Sequence, residues 1–163
     1  MNISAIVAMD ETGGIGKNGT LPWEKDPADM RWFQRYTKGG TLIMGRKTYE
    51  DEAFPKPLPD RLSVVIGGLK DYDYPNSKDT IFLSKIDWDM FKKYFQRPIL
   101  IGGATLYNKA IREKVIESLY VTSMLGDYGC DTFIDKEALN ANYEGKHADW
   151  HRDFPLFVYT KRT

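Results

Sequence analysis

The chain has 163 residues, of which 42% are hydrophobic and 28% are charged, a composition typical of one globular domain with a single core. Lys plus Arg and Asp plus Glu balance at 23 residues each, which excludes an overall electrostatic attraction to nucleic acid or to an anionic membrane. Cys130 is the single cysteine, so the sequence excludes an internal disulfide and a cysteine-based metal cluster.

The hydropathy of the chain predicts a protein of the cytoplasm. The first residues contain no basic leader, and no apolar run approaches transmembrane length. We expect one domain, residues 1–163, that is a monomer without nucleic-acid, membrane or metal partners. His147, Asp149 and His151 would share one face of a strand and are an alternative metal site, but no fourth ligand is evident, which favours a solvated strand face.

Short apolar runs and amphipathic segments alternate along most of the chain. The runs at residues 3–9, 41–44, 62–66 and 98–101 are continuously apolar, which predicts strands covered on both faces of a mainly parallel sheet. Helices are predicted between them, at residues 27–36, 46–51, 88–95 and 105–111. Such alternation of strand and helix is typical of an α/β sandwich.

The C-terminal third has a different pattern. Residues 118–124, 145–152 and 156–161 resemble strands, with fewer helices between them. An antiparallel edge strand or a hairpin fits this spacing. The predicted fold is therefore a three-layer α/β/α sandwich with a central, mainly parallel, twisted sheet and an antiparallel C-terminal edge strand.

A glycine-rich segment, residues 12–19, directly follows the first predicted strand. Its composition predicts a mobile loop without regular secondary structure. This loop would lie at the carboxyl end of a central strand, which is where open α/β sheets bind ligands.

Asp29 stands out in the first predicted helix. If Pro27 starts that helix, Asp29 lies on one face with Trp32, Phe33 and Tyr36. A carboxylate on an apolar face needs a buried partner or opens into a cleft, where loss of solvation favours the protonated acid used in proton chemistry. The alternative is an acid at the third helical position that is stabilised by the helix dipole and points to water. The segment alone leaves both interpretations open.

Two strand–glycine–helix junctions indicate a nucleotide site. The first, at residues 42–48, adds basic side chains and a hydroxyl, and the second, at residues 99–107, has a glycine pair. Glycine lets a phosphate approach the backbone, and a helix N-terminus offers free amide donors. One such junction often serves only packing, but two in a small domain suggest a dinucleotide diphosphate. Neither has the P-loop pattern and no GxGxxG motif follows the first strand, which disfavours an ATPase or an ordinary Rossmann dehydrogenase.

Ordered sequence blocks across nearly the whole chain resemble the dihydrofolate reductase family. The blocks are Ile6-Val7-Ala8-Met9-Asp10, Ile15-Gly16, Leu21-Pro22-Trp23, Pro27-Ala28-Asp29-Met30 with Phe33, Ile43-Met44-Gly45-Arg46-Lys47-Thr48-Tyr49-Glu50, Pro57-Leu58-Pro59 with Arg61, and Ile101-Gly102-Gly103 with Tyr107. Their order and spacing make a chance match implausible.

The resemblance implies reduction of 7,8-dihydrofolate to 5,6,7,8-tetrahydrofolate by hydride transfer from NADPH, in support of one-carbon and thymidylate metabolism, with antifolates as inhibitors. It implies that Asp29 binds the pterin ring and promotes its protonation through water. Trp23 matches the residue that holds a structural water, and Tyr107 matches a tyrosine beside the nicotinamide. Leu21 matches the tip of the loop that closes over the nicotinamide.

The resemblance also assigns two sets of binding residues. Those assigned to the substrate are Ile6, Ala8, Asp29, Met30, Phe33, Leu58, Arg61, Ile101 and Thr122. Those assigned to NADPH are Ala8, Ile15, Gly16, Asn18, Gly45, Arg46, Lys47, Thr48, Gly67, Gly68, Lys70, Gly102, Gly103, Ala104, Thr105 and Leu106. In these sets, Arg61 pairs with the α-carboxylate of the glutamate tail and Arg46 with the 2′-phosphate of NADPH. The segment Asp131-Thr132 resembles a partner loop that steadies the closed state.

The chain departs from the family pattern at four places. They are one additional residue in Glu24-Lys25-Asp26, Asp60 in place of a common glycine, Gly67-Gly68 where a hydroxyl often helps to bind the 2′-phosphate, and Cys130 in place of a glycine before Asp131. These positions bear on the water site, the turn that presents Arg61, the selectivity for NADPH and the bonding between the loops. Lys70 is a candidate to compensate for the missing hydroxyl.

Two other functions fit parts of the sequence. One is a reductase of the same fold that acts on another pterin or on a ribosylated pyrimidine, which the pair Asp29 and Phe33 and the tail-binding Arg61 disfavour. The other is a non-catalytic module that keeps the nucleotide site. The combination of a pocket carboxylate, Tyr107 and a closing loop disfavours such a module.

Overall fold

A computed structural model of the chain describes residues 2–23, 27–51, 60–67, 77–148 and 154–163. In these ranges the strands are β1 (Ile3–Asp10), β2 (Gly14–Gly16), β3 (Thr41–Gly45), β4 (Leu62–Ile66), β5 (Thr80–Leu83), β6 (Pro98–Gly102), β7 (Ile116–Met124), β8 (Thr132–Phe133), β9 (Tyr143–Ala148) and β10 (Leu156–Lys161). The helices are α1 (Pro27–Thr37), α2 (Arg46–Glu50), α3 (Trp88–Tyr94), α4 (Ala104–Arg112) and α5 (Lys136–Asn142).

The main sheet has the strand order β5-β4-β3-β6-β1-β7-β10-β9. All neighbouring pairs from β5 to β7 are parallel. The C-terminal strand β10 runs antiparallel to both β7 and β9. The prediction of a mainly parallel sheet with an antiparallel C-terminal strand at its edge is confirmed, and β9 is the outermost strand that pairs with it.

Helices cover both faces of this sheet, which confirms the predicted three-layer sandwich. On one face, Trp32 of α1 packs with Ile6 of β1 in a buried apolar cluster. On the other face, Phe91 of α3, Leu106 of α4 and Leu139 of α5 belong to a second buried cluster. Because the central strands are covered on both sides, they have continuous apolar runs. None of the helices within the described ranges is long and apolar enough to cross a membrane.

The glycine-rich segment after β1 is more regular than predicted. Gly14–Gly16 forms β2, which pairs antiparallel with β8 in a separate two-stranded sheet. The prediction of a segment without regular structure was therefore wrong for these residues. Their extended conformation depends on a partner strand far along the chain, which local composition does not reveal.

Strand β5 and helix α5 were not predicted. The edge strand β5 contains only half-buried residues, and its short apolar run, Ile81-Phe82-Leu83, was not recognised as a strand. Helix α5 follows Asp135, whose carboxylate accepts a 3.0 Å hydrogen bond from the backbone N–H of Ala138. Its polar sequence buries Leu139, so the expectation of fewer helices in this third missed it. β9 begins at Tyr143, earlier than the predicted residue 145, and residues 149–152 of that prediction lie outside the described ranges.

Candidate active site

Asp29 on α1 faces the sheet. The Oγ1 hydroxyl of Thr122 on β7 donates a hydrogen bond to Oδ1 of Asp29 across 3.0 Å. Thr122 is only 2% exposed and pairs in register with Ala8 of β1. Asp29 itself is half-buried. Of the two orientations that the sequence left open, the structure has the one in which the carboxylate faces the interior and keeps partial access to solvent.

Phe33 of α1 and Ile101 of β6 are two of the residues that the resemblance assigned to the substrate. Phe33 and Ile101 both pack against the buried cluster that contains Ile6 and Trp32. Ile6 is on β1 and Ile101 on β6, so this apolar cluster combines residues of neighbouring strands with residues of the helix. This cluster covers the same face of the sheet as α1, the helix that carries Asp29.

Ala8, Met30 and Leu58 are further residues that the resemblance assigned to the substrate. Ala8 is half-buried and, because side chains alternate along a strand, points to the same face of β1 as Ile6. Met30 follows Asp29 on α1 and is half-buried. Leu58 lies outside the described residues.

Tyr107 connects α4 to β1. Its hydroxyl donates a buried hydrogen bond of 2.6 Å to the backbone carbonyl of Ile6. Burial raises the pKa of Tyr107, so its hydroxyl is a neutral donor at physiological pH. The carbonyl of Ile6, a residue that the resemblance assigned to the substrate, therefore already accepts one hydrogen bond.

The two glycine junctions lie side by side because β3 and β6 are neighbours, with Met44 paired to Gly102. A Cβ atom placed on Gly45 would lie 3.8 Å from the backbone nitrogen of Gly103 and 3.9 Å from the carbonyl oxygen of Gly102. The Oγ1 of Thr48 packs beside the second junction, 3.2 Å from a Cβ placed on Gly102. The peptide bond between Gly102 and Gly103 is cis.

The helix ends at these junctions present backbone amides. Gly45 precedes α2 and Gly103 precedes α4, and neither N-cap has a hydrogen bond from a described side chain to the helix N-terminus. Ala104, Thr105 and Leu106 form the first turn of α4. Their N–H groups are the ones that a helix leaves without an intrahelical partner, so this end of α4 is suited to an anion.

Arg46 is already paired within α2. Its Nε lies 3.3 Å from Oε1 of Glu50, one turn later. Gly67 lies against it, since a Cβ on Gly67 would come within 2.9 Å of the Cβ of Arg46. Lys47 is exposed. Of the other predicted residues near the 2′-phosphate, Gly68 and Lys70 lie outside the described residues.

Arg61 is held at the C-terminal end of α1. Its Nε donates to Oγ1 of Thr37 at 3.0 Å, and its Nη2 donates to the carbonyl oxygen of Gln34 at 2.7 Å. These two bonds orient the planar guanidinium group. Arg61 is therefore fixed to the helix that carries Asp29.

The loop after β1 contacts the segment that the sequence identified as its partner. The backbone N–H of Asn18 donates to Oδ2 of Asp131 at 2.9 Å, and the N–H of Asp131 donates to the carbonyl of Gly16 at 2.9 Å. Ile15 packs against the core. The replacement of glycine by Cys130 therefore leaves loop–loop bonding at Asp131 in place.

Trp23 and Leu21 are the two remaining predicted residues of this loop. The ring of Trp23 makes an edge contact with Tyr128, with 5.3 Å between ring centroids. Leu21 is 43% exposed, which suits a residue at the tip of a loop.

Asp10, at the end of β1, was not predicted as a functional residue. It is 3% exposed, and its carboxylate accepts hydrogen bonds from Thr12, Gly14, Tyr128 and Cys130. Burial raises the pKa of Asp10, but the hydrogen bonds outweigh it and lower the pKa to about 2. The available sequence signal was an acid between an apolar strand and a glycine-rich segment, where Asp commonly bonds to the following backbone.

Of the three residues of the alternative metal site, only His147 lies within the described residues. Within the described residues, no group of three or more His, Cys, Asp or Glu side chains is arranged to hold a metal ion. The ring of His147 on β9 makes an edge contact with Phe157 of β10 at 5.5 Å between centroids. Asp149 and His151 lie outside the described residues.

Comparison with known proteins gives a consistent family. A sequence model of dihydrofolate reductase matches residues 2–154. A dihydrofolate reductase of Haemophilus influenzae is 35% identical over 82% of this chain and 78% of its own length. A bifunctional dihydrofolate reductase-thymidylate synthase 2 of Arabidopsis thaliana is 30% identical over 93% of this chain, which spans only 28% of that longer protein.

A solved structure agrees with the sequence relatives. Dihydrofolate reductase from Enterococcus faecalis, complexed with NADP(H) and RAB-propyl, has 26% sequence identity and a TM-score of 0.76, over 99% of this chain and 97% of that chain. The sequence match and the structural match both include the strands and helices that carry the residues described above. The chain therefore belongs to the dihydrofolate reductase family.

Proposed function

We propose that this chain reduces 7,8-dihydrofolate to 5,6,7,8-tetrahydrofolate with NADPH as the hydride donor. The observation that carries the proposal is the half-buried carboxylate of Asp29, which accepts a 3.0 Å hydrogen bond from Thr122 and faces the sheet beside Ala8. A pterin ring presents an amino group and a ring nitrogen on one edge, and a carboxylate has acceptor sites for both. Family membership supports the same substrate.

The glycine junctions fit a dinucleotide phosphate group. A side chain at Gly45 would enter the space next to Gly103 and Gly102, so glycine keeps the backbone of both junctions accessible. We assign one phosphate of the diphosphate to the first turn of α4 and the other to the junction of Gly45 and Thr48. We assign the 2′-phosphate to Arg46. Bound NADPH supplies the hydride.

The chain's own residues orient the ring and direct the proton. Asp29 holds the edge of the pterin, and its negative charge favours a proton on the ring, with water near Trp23 as the immediate donor. Thr122 fixes the rotamer of Asp29 through its hydroxyl. Tyr107 is fixed by its bond to Ile6, so the dipole of its phenol has one orientation in the site, as electrostatic stabilisation requires.

Arg61 is proposed to bind the carboxylate tail of the substrate. Its contacts with Thr37 and Gln34 fix the guanidinium before a ligand arrives. A pre-oriented guanidinium loses less conformational entropy on binding a carboxylate. This arrangement favours a substrate with an acidic tail over a pterin without one.

Several wider properties belong to the same proposal. We infer one domain over residues 1–163, a monomeric state, a cytoplasmic location, a role in one-carbon and thymidylate metabolism, and inhibition by antifolates. The name of the Enterococcus faecalis structure, which includes NADP(H), supports the cofactor. The Arabidopsis relative is a bifunctional dihydrofolate reductase-thymidylate synthase, which supports the link to thymidylate synthesis, although this chain spans 28% of that protein.

The proposal is tested by the absorbance of NADPH on addition of dihydrofolate to the purified chain. We expect NADPH oxidation that requires both compounds. Parallel reactions with a dihydropterin that lacks the glutamate tail distinguish a folate reductase from a general pterin reductase. Absence of turnover by folded protein at saturating NADPH and dihydrofolate would eliminate the proposed function.

A further inference from the structure

A buried carboxylate links two loops beside the proposed cofactor site. The Asp10 cluster, defined here as Asp10, Thr12, Gly14, Tyr128 and Cys130, contains contacts from both loops to one side chain. The first loop, residues 11–23, contains Ile15, Gly16 and Asn18, which are assigned to NADPH, and Leu21, which is assigned to the tip of the loop that closes over the nicotinamide. The second loop, residues 125–131, follows β7.

We propose that Asp10 is a positioning residue that couples these two loops and thereby keeps the first loop over bound NADPH. The inference rests on the proposed function only for the identity of that ligand. Its structural part, the coupling of the loops through one carboxylate, stands on the contacts of the Asp10 cluster alone.

The two carboxylate oxygens are divided between the loops. Oδ1 accepts from the backbone N–H of Thr12 at 2.9 Å, from its hydroxyl at 2.7 Å and from the N–H of Gly14 at 2.8 Å, all in the first loop. Oδ2 accepts from the N–H of Tyr128 at 3.0 Å and from Sγ of Cys130 at 3.5 Å, both in the second loop. Every one of these partners is a donor, so the cluster requires two acceptor oxygens on residue 10.

The ionised form of Asp10 meets this requirement. Burial raises its pKa, but the hydrogen bonds from Thr12, Tyr128 and Gly14 together lower it to about 2. The carboxylate is therefore an anion with two acceptors throughout the neutral range.

Close packing fixes the loops at this point. A Cβ placed on Gly14 would overlap Sγ of Cys130 and lie 3.0 Å from Oδ1 of Asp10. The thiol of Cys130 thus occupies the space beside Gly14 and touches the carboxylate from the second loop. The two loops meet through side-chain packing as well as through hydrogen bonds.

Residues of the Asp10 cluster make further contacts with residues of the proposed active site. Tyr128, whose amide is bound by Asp10, places its ring edge against Trp23. Further along, Asn18 and Gly16 both bond to Asp131 and form a further link between the loops. Loss of the Asp10 link is therefore expected to weaken the position of the loop segment between them.

The variant Asp10→Asn is expected to affect the contacts of the two loops differently. An amide keeps one acceptor oxygen and replaces the other with an NH₂ donor. If the oxygen keeps the three donors of the first loop, the NH₂ group faces the amide N–H of Tyr128, and two donors cannot bond. We expect the Tyr128 amide to lose protection against hydrogen exchange by about tenfold or more, while the Gly14 amide keeps most of its protection.

The second measurement on this variant is the dissociation rate of NADPH from the folded protein, followed by stopped-flow fluorescence. We expect Asp10→Asn to raise the dissociation rate about tenfold, with a smaller change in the association rate. The matched control is Asp87→Asn, the same substitution at the N-cap of α3, where the side chain accepts one bond from Met90 at 3.0 Å. Asparagine is an equally good N-cap, so the control is expected to leave both rates unchanged.

A second variant covers the case in which Asp10→Asn does not fold. Thr12→Val removes only the hydroxyl donor and keeps the backbone bonds and the charge of Asp10, and we expect about threefold faster NADPH dissociation. Unchanged dissociation and unchanged exchange at Tyr128 in a folded variant would overturn the coupling. If the parent protein oxidises no NADPH with dihydrofolate, the proposed function fails, whereas hydrogen exchange at Tyr128 still supports or overturns the coupling of the loops.

Discussion

Arg46 and Glu50 form an ion pair within α2, with 3.3 Å between Nε and Oε1, at the junction assigned to the adenosine end of the cofactor. The two side chains are 26% and 39% exposed, so the pair is partly screened by solvent. Glu50 therefore competes with a 2′-phosphate for the guanidinium. At this junction Gly67 has no hydroxyl to add a further bond to the phosphate.

Removal of the Glu50 charge is expected to increase the preference for NADPH. In Glu50→Gln we expect the ratio of kcat/KM for NADPH to that for NADH to rise about twofold to fivefold, because a partly exposed ion pair contributes at most about 1 kcal/mol. Steady-state kinetics with both cofactors measures the ratio. Glu113→Gln is the matched control, since it breaks the corresponding pair with Lys109 at the end of α4, and an equal rise there would contradict the assignment.

Asp29→Asn is expected to impair chemistry rather than cofactor binding. General acid–base assistance contributes about a hundredfold or more to a rate, so hydride transfer in a single turnover at neutral pH should fall by at least about that factor. The Kd for NADPH should change by less than about threefold, since Asp29 is proposed to bind the pterin and not the cofactor. Equal losses in both quantities would mean that Asp29 has a structural role.

Thr122→Val tests the partner of Asp29. Valine has nearly the shape of threonine but lacks the hydroxyl that donates to Oδ1. Loss of a bond to a charged group corresponds to about 1.5 kcal/mol or more, so kcat/KM for dihydrofolate should fall about tenfold. The control is Thr160→Val on an exposed position of β10, where the same exchange should have no kinetic effect. A fall in NADPH affinity without a fall in hydride transfer would place Thr122 outside the pterin site.

Local patterns were sufficient for the central strands and for the helix that carries Asp29. The strands are continuous apolar runs because both faces are covered, and α1 begins at Pro27 with its apolar stripe toward the sheet. The orientation of Asp29 was open in the sequence because an acid in the first turn is also stable in water. The position of Thr122, far along the chain on a different strand, decides that orientation.

Local sequence patterns do not predict the long-range contacts of the loops. β2 depends on pairing with β8, and the position of Asp10 depends on donors from Tyr128 and Cys130, more than one hundred residues away. A carboxylate after a strand is common in turns, so the residue type alone did not indicate a buried anion shared by two loops. Only the tertiary contacts distinguish an acid in an ordinary turn from a buried anion that two loops share.

Asp10 should make the stability of the fold sensitive to acid. Its pKa lies at about 2, below its ordinary value of 3.8, so the unfolded chain takes up the proton first as the pH falls. Its contribution is therefore complete well above pH 3.8 and is lost as the pH decreases toward 2. The loss corresponds to up to about 2 kcal/mol of unfolding free energy, measured by denaturant titration at both ends of this range. Asp10→Asn should show a smaller decrease, and an equal decrease in both proteins would contradict the assignment.

The thiol of Cys130 should react slowly because it is partly buried and contacts the carboxylate of Asp10. Burial raises its pKa, and its hydrogen bond to Asp10 and the negative charge of Asp10 raise it further. Because the thiolate is the reacting form, iodoacetamide should alkylate the folded protein near neutral pH more slowly than the urea-unfolded chain. In Asp10→Asn the midpoint of the rate against pH should move to lower pH, a change that greater access of the reagent alone does not produce. Asp87→Asn should leave the midpoint in place, and an unchanged midpoint in Asp10→Asn would contradict the contact between the thiol and the carboxylate.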